Sequence, residues 1–398
     1  MGPLASLELT IGSLAALMLL VTLCTLGQAK LGLYASVDTY IRSLLVWAEV
    51  PGTSLRLPVF PGGALVGVIL LLNLTAAQFM RLEWSRRKAG LWLVHLGLAL
   101  LFAGEFSTGF FQQDDRMVLS EGAARSWVES PRDIELAVID ATDKGSDTVY
   151  SAPERVYSKK RTIEHEAWPF SLLVKRYLPN ARIEMRQSVE GGPASMATAG
   201  LGPSLVALEL LRSRRDDAPE EPALFVEAVS GDRSYGTWLL STALGGPDPG
   251  LSAEQGLTLD GRQWRFALRH RRRSLPFSLT LKRFTHESHP GTDIPRVFSS
   301  LVRLSDPARH EGRDVLISMN RPLRYDGQAF YQAGFENNDT VSILQVVKNP
   351  GWLLPYLSCV LVGLGLLIHF AGRFWPARTT QPRVAATQAP PEGAGARS

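Results

Sequence analysis

Lys88-Ala-Gly-Leu-Trp92-Leu-Val-His95-Leu-Gly-Leu-Ala-Leu-Leu-Phe-Ala-Gly104 opens on a cation and then runs to Gly104 with no other charged side chain and one histidine inside. About 20 apolar helical residues cross a hydrocarbon core, so this stretch, which meets Glu105 at its end, is the marginal span. Leu9 to Ala29, Leu57 to Met80 and Asn349 to Gly372 are long enough without help. Four such stretches predict a multi-pass α-helical membrane protein and exclude a soluble cytoplasmic enzyme. A cleaved leader would account for the first stretch alone.

The net charge of the 398 residues, +4, divides unevenly. Residues 1–108 carry 7 Lys/Arg against 5 Asp/Glu, residues 109–350 carry 31 against 32, and the tail carries 4 against 1. The near-neutral middle lacks the basic footprint of nucleic-acid binding. The excess sits in short flanks: Arg81, Arg86, Arg87 and Lys88 between the second and third spans, and Arg373, Arg378, Arg383 and Arg397 after the fourth. Basic flanks stay in the cytoplasm. Both termini are therefore expected inside, and the block from residue 110 to 349 outside the inner membrane of a bacterium. Residues 1–109 would form the membrane domain, with an interfacial helix over Tyr40 to Val50, 350–372 the last span, opened by Pro350, and 373–398 a disordered tail.

The outer block reads as β-rich and sandwich-like. Asp133–Ile139, Phe170–Tyr177, Ser204–Leu211, Ala223–Val229, Arg262–Arg269, Phe277–Phe284, Val297–Leu304, Asp314–Met319, Ala329–Phe335 and Ser342–Val347 alternate or are rich in β-branched and aromatic residues, with turn-forming residues between them. Pro169-Phe-Ser-Leu-Leu-Val-Lys-Arg-Tyr177 aligns without gaps on Pro276-Phe-Ser-Leu-Thr-Leu-Lys-Arg-Phe284, six of nine positions being identical. Such a repeat predicts two related β-halves. Cys24 and Cys359 both lie in spans, so no CxxC and no disulfide framework is available. The run from Arg269 to Arg273 reads as a solvated strand edge, and His286-Glu-Ser-His289 as a loop, not a metal site.

An ionisable group at membrane depth is costly and marks a functional candidate. His95 lies seven residues past Lys88, on the order of 10 Å along a helix, and His369 four before Arg373, on the order of 6 Å. Both imidazoles fall in the cytoplasmic leaflet. Neutral imidazole ligates haem iron. Arg86, Arg87, Lys88 and Arg373 would supply a cationic rim for the porphyrin carboxylates, and Trp92 a cover for its face. The alternative is structural: the histidines could pair with polar neighbours such as Asn73 and Gln78.

Several stretches resemble the ResB family of cytochrome c biogenesis proteins. They are Ser6-Leu-Glu-Leu-Thr-Ile-Gly12, Lys88 to Gly97 with His95 in place, Leu275 to Phe284, Phe298-Ser-Ser300, Met319 to Gly327 with Phe330-Tyr-Gln332, and Lys348-Asn-Pro-Gly351. The middle, residues 141–261, carries no likeness. The resemblance implies a membrane subunit that carries haem b outward and presents it to apocytochrome c. Its partner would be a CcsA/ResC-type membrane protein, with a thioredoxin-like thiol reductant nearby. His95 falls where the family places a haem ligand, and the second axial ligand would come from the partner or from His369. A membrane-anchored scaffold or sensor without haem, or a small-molecule transporter using His95 for protons, are the other classes the residues allow. Reporter fusions after Lys88 should read cytoplasmic and after Gly122 outside; a cytoplasmic reading at Gly122 would remove the third span.

Overall fold

The computed structural model describes residues 3–49, 55–85, 88–143, 145–188, 195–211, 220–245, 253–288, 295–336 and 340–374. Four helices are long and apolar enough to cross a membrane: α1 (Leu7–Leu31), α2 (Gly63–Arg81), α3 (Ala89–Phe111) and α4 (Leu354–Phe374). The marginal stretch is thus a helix of 23 residues, because it continues through Glu105 to Phe111.

Two boundaries differ from the sequence reading, and prolines explain both. Residues 57–61 belong to a strand carrying Pro58 and Pro61, which cannot donate within a helix, so α2 begins only at Gly63. Pro350 lies in a turn; α4 starts at Leu354, with Pro355 in its first turn, where the missing N–H has no partner to lose. The segment over 40–50 is not one interfacial helix. Helix ends at Arg42, and Leu45-Val-Trp-Ala-Glu49 (β1), alternating apolar and β-formers, pairs antiparallel with Arg56–Pro61 (β2). The tail expected to be disordered lies almost wholly outside the described residues.

Contacts divide the chain into two units. The first holds residues 1–14, 67–104 and 353–398. In it Asn73 of α2, 1% exposed, donates to the carbonyls of Leu4 (2.7 Å) and Ser6 (3.0 Å) and accepts from the Thr10 hydroxyl (2.5 Å). Ser6 caps α1, its hydroxyl accepting the Leu9 N–H at 3.1 Å. Gly90, Gly97 and Gly104, seven apart and all buried, let α3 approach α4. A Cβ on Gly90 would lie 2.5 Å from the Gly365 carbonyl oxygen, and one on Gly97 2.7 Å from Val362. The Ser358 hydroxyl donates to the Gly97 carbonyl at 2.6 Å along this seam. Small residues bring apolar helices close enough to pack backbone on backbone.

The second unit, residues 15–66 and 105–352, is β-rich. Its strands beyond β2 are β3 (Gln113–Ser120), β4 (Ala124–Asp140), β5 (Thr148–Pro153), β6 (Thr162–Ile163), β7 (Ser171–Leu178), β8 (Ala181–Met185), β9 (Leu205–Glu209), β10 (Ala223–Ser230), β11 (Arg233–Ser241), β12 (Gln255–Leu259), β13 (Arg262–Ser288), β14 (Pro295–Asp306), β15 (Glu311–Ser318), β16 (Leu323–Tyr325), β17 (Gln328–Glu336) and β18 (Val341–Lys348). A ten-stranded sheet runs β15-β14-β13-β4-β3-β18-β17-β16, with β12 and β5 paired beside it, and a four-stranded sheet runs β11-β10-β7-β6. All ten expected strands fall in strands; Arg262–Arg269 and Phe277–Phe284 are two halves of the single β13.

Two principal cores share β13. Trp264, Phe266 and Leu268 line one with Phe170, Leu172, Leu224, Val226 and Trp238; Leu275, Phe277, Leu279 and Leu281 line the other with Val302, Leu304, Phe330 and Leu344. Even-numbered residues of β13 serve the first core and odd-numbered ones the second as far as the register shift at Lys282, beyond which Phe284 joins the second core. The repeated segments correspond in detail. Phe170 and Leu172, like Phe277 and Leu279, point into a core. Each segment is flanked by antiparallel neighbours on both sides, and each has its register shift at the same place, Lys175 in one and Lys282 in the other standing unpaired in the ladder. Both lysines bridge to carboxylates at 2.6 Å, Lys175 to Glu227 and Lys282 to Asp314.

The arginine run is not a solvated edge. β13 is an internal strand, and Arg269 meets Glu135 at 3.0 Å, Arg272 meets Glu129 at 3.0 Å and Arg273 meets Asp115 at 2.7 Å, across the sheet. Arg269 and Glu135 are 6% and 2% exposed. Stripping one partner from such a pair strands a buried charge, at a cost of about 3–5 kcal/mol. Glu135→Ala should therefore lower the thermal unfolding temperature sharply, whereas Arg271→Ala, at an exposed pair with Asp133, should leave it nearly unchanged. Equal effects would contradict the buried ladder.

Candidate functional site

His95 sits in the second turn of α3, half-buried, one turn beyond Trp92. Its Nδ1 is 2.9 Å from the Leu91 carbonyl oxygen, four residues back on the same helix. A carbonyl can only accept, so Nδ1 carries the proton and Nε2 presents its lone pair. Among the described residues Nε2 has no hydrogen-bond partner. Metal-ligating histidines commonly donate their other ring N–H to a carbonyl in this way, which fixes both tautomer and ring plane.

The polar neighbours that could have satisfied His95 are engaged elsewhere. Asn73 is bound to the start of α1, and the Gln78 side chain donates to the Trp92 carbonyl at 3.3 Å. Trp92 itself is packed, its ring 4.7 Å from Trp84 and 5.7 Å from Phe79, both edge-on, with its indole N–H 3.4 Å from the Glu83 carbonyl oxygen. This aromatic cluster closes the turn from α2 into α3. Lys88 pairs with Glu83 at 2.6 Å, and the lysine holds that exposed carboxyl below its usual range. Arg86 and Arg87 lie outside the described residues, as does the Arg373 side chain.

His369 approaches α3 from α4, where its backbone N would be 2.6 Å from a Cβ on Gly90. Its ring lies 5.6 Å from that of Phe370. At 100° per residue, His95 stands about 140° around α3 from Gly90. The His95 imidazole thus leaves α3 well away from the glycine seam. Among the described residues no group of three or more His, Cys, Asp or Glu side chains forms a metal cluster. In the β-rich unit His286 stacks against Phe335 at 4.5 Å, and His289 lies outside the described residues.

The glycine seam and the aromatic closure were missed by the sequence reading, although glycines seven apart at 90, 97 and 104 were there to be read.

The model of the ResB-like family matches residues 253–343, the stretch from β12 into β18. Protein NrfI of Wolinella succinogenes is 35% identical over 114 residues, which make up 29% of this chain. The same residues span only 13% of the relative, so that protein is more than twice as long. The matched stretch contains Leu275 to Phe284, Phe298-Ser-Ser300 and Met319 to Gly327, the motifs that first suggested the family. Over residues 253–343 the chain is similar to the ResB-like family.

Proposed function

We propose that this chain is a membrane subunit of a cytochrome c biogenesis complex, in a bacterial inner membrane, that helps carry haem b outward and present it to apocytochrome c. The observation carrying this reading is the His95 tautomer. A proton held on Nδ1 by the Leu91 carbonyl leaves Nε2 as a ligand-ready nitrogen where no water solvates it. Haem would be cargo here, held through one axial nitrogen from this chain.

The second axial nitrogen is assigned to a partner of the CcsA/ResC type. His369, on α4, is given a packing role with Gly90. The length of the relative fits this division of labour: it has room in one polypeptide for a ResB-type protein and a second one of similar size. Cys24 and Cys359 lie in helices and form no CxxC, so reduction of the apocytochrome thiols falls to a separate thioredoxin-like protein. Arg86, Arg87, Lys88 and Arg373 remain assigned to the propionate rim. Lys88 would exchange its exposed pair with Glu83 for a propionate at little cost, since such pairs contribute about 0–1 kcal/mol.

His95→Gly in a strain that depends on this chain should abolish c-type cytochromes while the protein remains in the membrane. Added imidazole should restore them in part by entering the vacated ligand position, whereas His369→Gly should have a smaller effect. Normal cytochrome c levels in the His95→Gly strain without imidazole would exclude the ligand role. Loss that imidazole cannot repair would point to packing.

A further inference from the structure

A row of directly opposed residues crosses five strands of the large sheet: Arg272 (β13), Glu129 (β4), Arg116 (β3), Gln345 (β18) and Tyr331 (β17). Opposed residues share a face. Trp127, two residues before Glu129, lies on the same face, with the guanidiniums of Arg272 and Arg125 each 5.0 Å from its ring. Glu129 is committed to Arg272 at 3.0 Å. Arg116 has nothing comparable: its Nε is buried without a partner, and among the described residues its guanidinium meets no carboxylate. The neighbouring His270 Nδ1 is buried and unpartnered as well. Burial first, then Arg116 and Arg272, push that imidazole down to about 4, against a smaller upward pull from the Ser130 backbone, so it adds no charge at neutral pH. A small cavity lined by Met117, Val118, Arg125, Trp127 and Glu129 opens beside the row.

An arginine half-withdrawn from water with no anion is an open half of an ion pair. We propose that Arg116 and Arg272, backed by Trp127, form a carboxylate-binding site on this face of the β-rich unit. A guanidinium fork takes a carboxylate in two parallel hydrogen bonds, and the small cavity beside Trp127 adjoins it. Two sources share that chemistry, the propionate of a porphyrin and a small free dicarboxylate. The site involves neither His95 nor any span.

The test uses the full chain in detergent in a His95→Ala background, so that binding here is read apart from the membrane histidine. Thermal unfolding is followed with metal-free protoporphyrin IX, with its dimethyl ester, and with succinate. Protoporphyrin that stabilises while the ester does not identifies a propionate; stabilisation by succinate identifies a free carboxylate. In either case Arg116→Gln should weaken binding by about tenfold or more, as expected for loss of a charged hydrogen bond. Arg271→Gln, at an exposed pair, should not. Without ligand, Arg116→Gln should unfold no earlier than its parent, because it removes an unpaired charge; this separates lost binding from lost folding. No stabilisation by either anion, or binding that survives Arg116→Gln, would overturn the proposal.

Discussion

The β-rich unit depends on one pairing, β4 against β13. These strands run together from Trp264↔Asp140 to Thr280↔Ala124, and both principal cores are built on them. Between the cores β13 offers no apolar residue from Arg269 to Ser274, and the sequence places arginines there instead. Arg269, Arg272 and Arg273 each find a carboxylate across the sheet, which is why a run of cations can occupy an internal strand. Ion pairs withdrawn from water contribute little net stability but tolerate no slip, since a shift of one residue would strand several charges at once. The ladder therefore fixes the register, and the register sets which apolar side chains each end of β13 delivers to its core.

Polar residues do comparable work among the helices. Asn73 ties α2 to the first turn of α1, Gln78 ties α2 to α3, and Ser358 ties α4 to α3, each through a backbone carbonyl. In an apolar surrounding these bonds and the glycine seam replace the hydrophobic effect as the source of specificity. Their other consequence concerns His95: once Asn73 and Gln78 are spent on helix packing, the imidazole has only its own helix to bond to, and that bond uses Nδ1 alone.

The four spans and the ten strongest strands were legible because each rests on an unbroken local pattern of apolar residues. β3 was not: Gln113-Asp-Asp-Arg116 carries three charges in a row, and it is a strand through its tertiary pairing with β18, with Asp115 bridged to Arg273. The first half of β4 was hidden by Pro131, which sits where the ladder to β13 is interrupted between Glu129 and Ile134, a position that spares proline a hydrogen bond it could not make. β12 and β16 were readable in principle, since Asp260-Gly261 and Asp326-Gly327 adopt positive φ at both residues, the conformation of tight hairpin turns. At the candidate site, His95 and its place near the start of an apolar helix were visible in the sequence, but the tautomer was not, because it depends on how a side chain folds back onto a carbonyl of its own helix.

The repeat and the family match bear on each other. The match, residues 253–343, covers most of the core around Phe277 and stops short of the first copy of the motif, which serves the other core around Phe170. If the two copies share an origin, as their common register shift at Lys175 and Lys282 supports, the constraint on them has differed. The chain's connections supply a physical reason. β3 follows α3 after a single residue, and β18 ends six residues before α4; the two strands pair without interruption from Lys348↔Gln113 to Val341↔Ser120. Asn349 continues the zipper beyond the strand ends, its amide donating to Thr108 at 3.1 Å and Gln112 at 3.3 Å. The core around Phe170 has no span leading directly into or out of its strands, so its sequence is free to change wherever its packing survives.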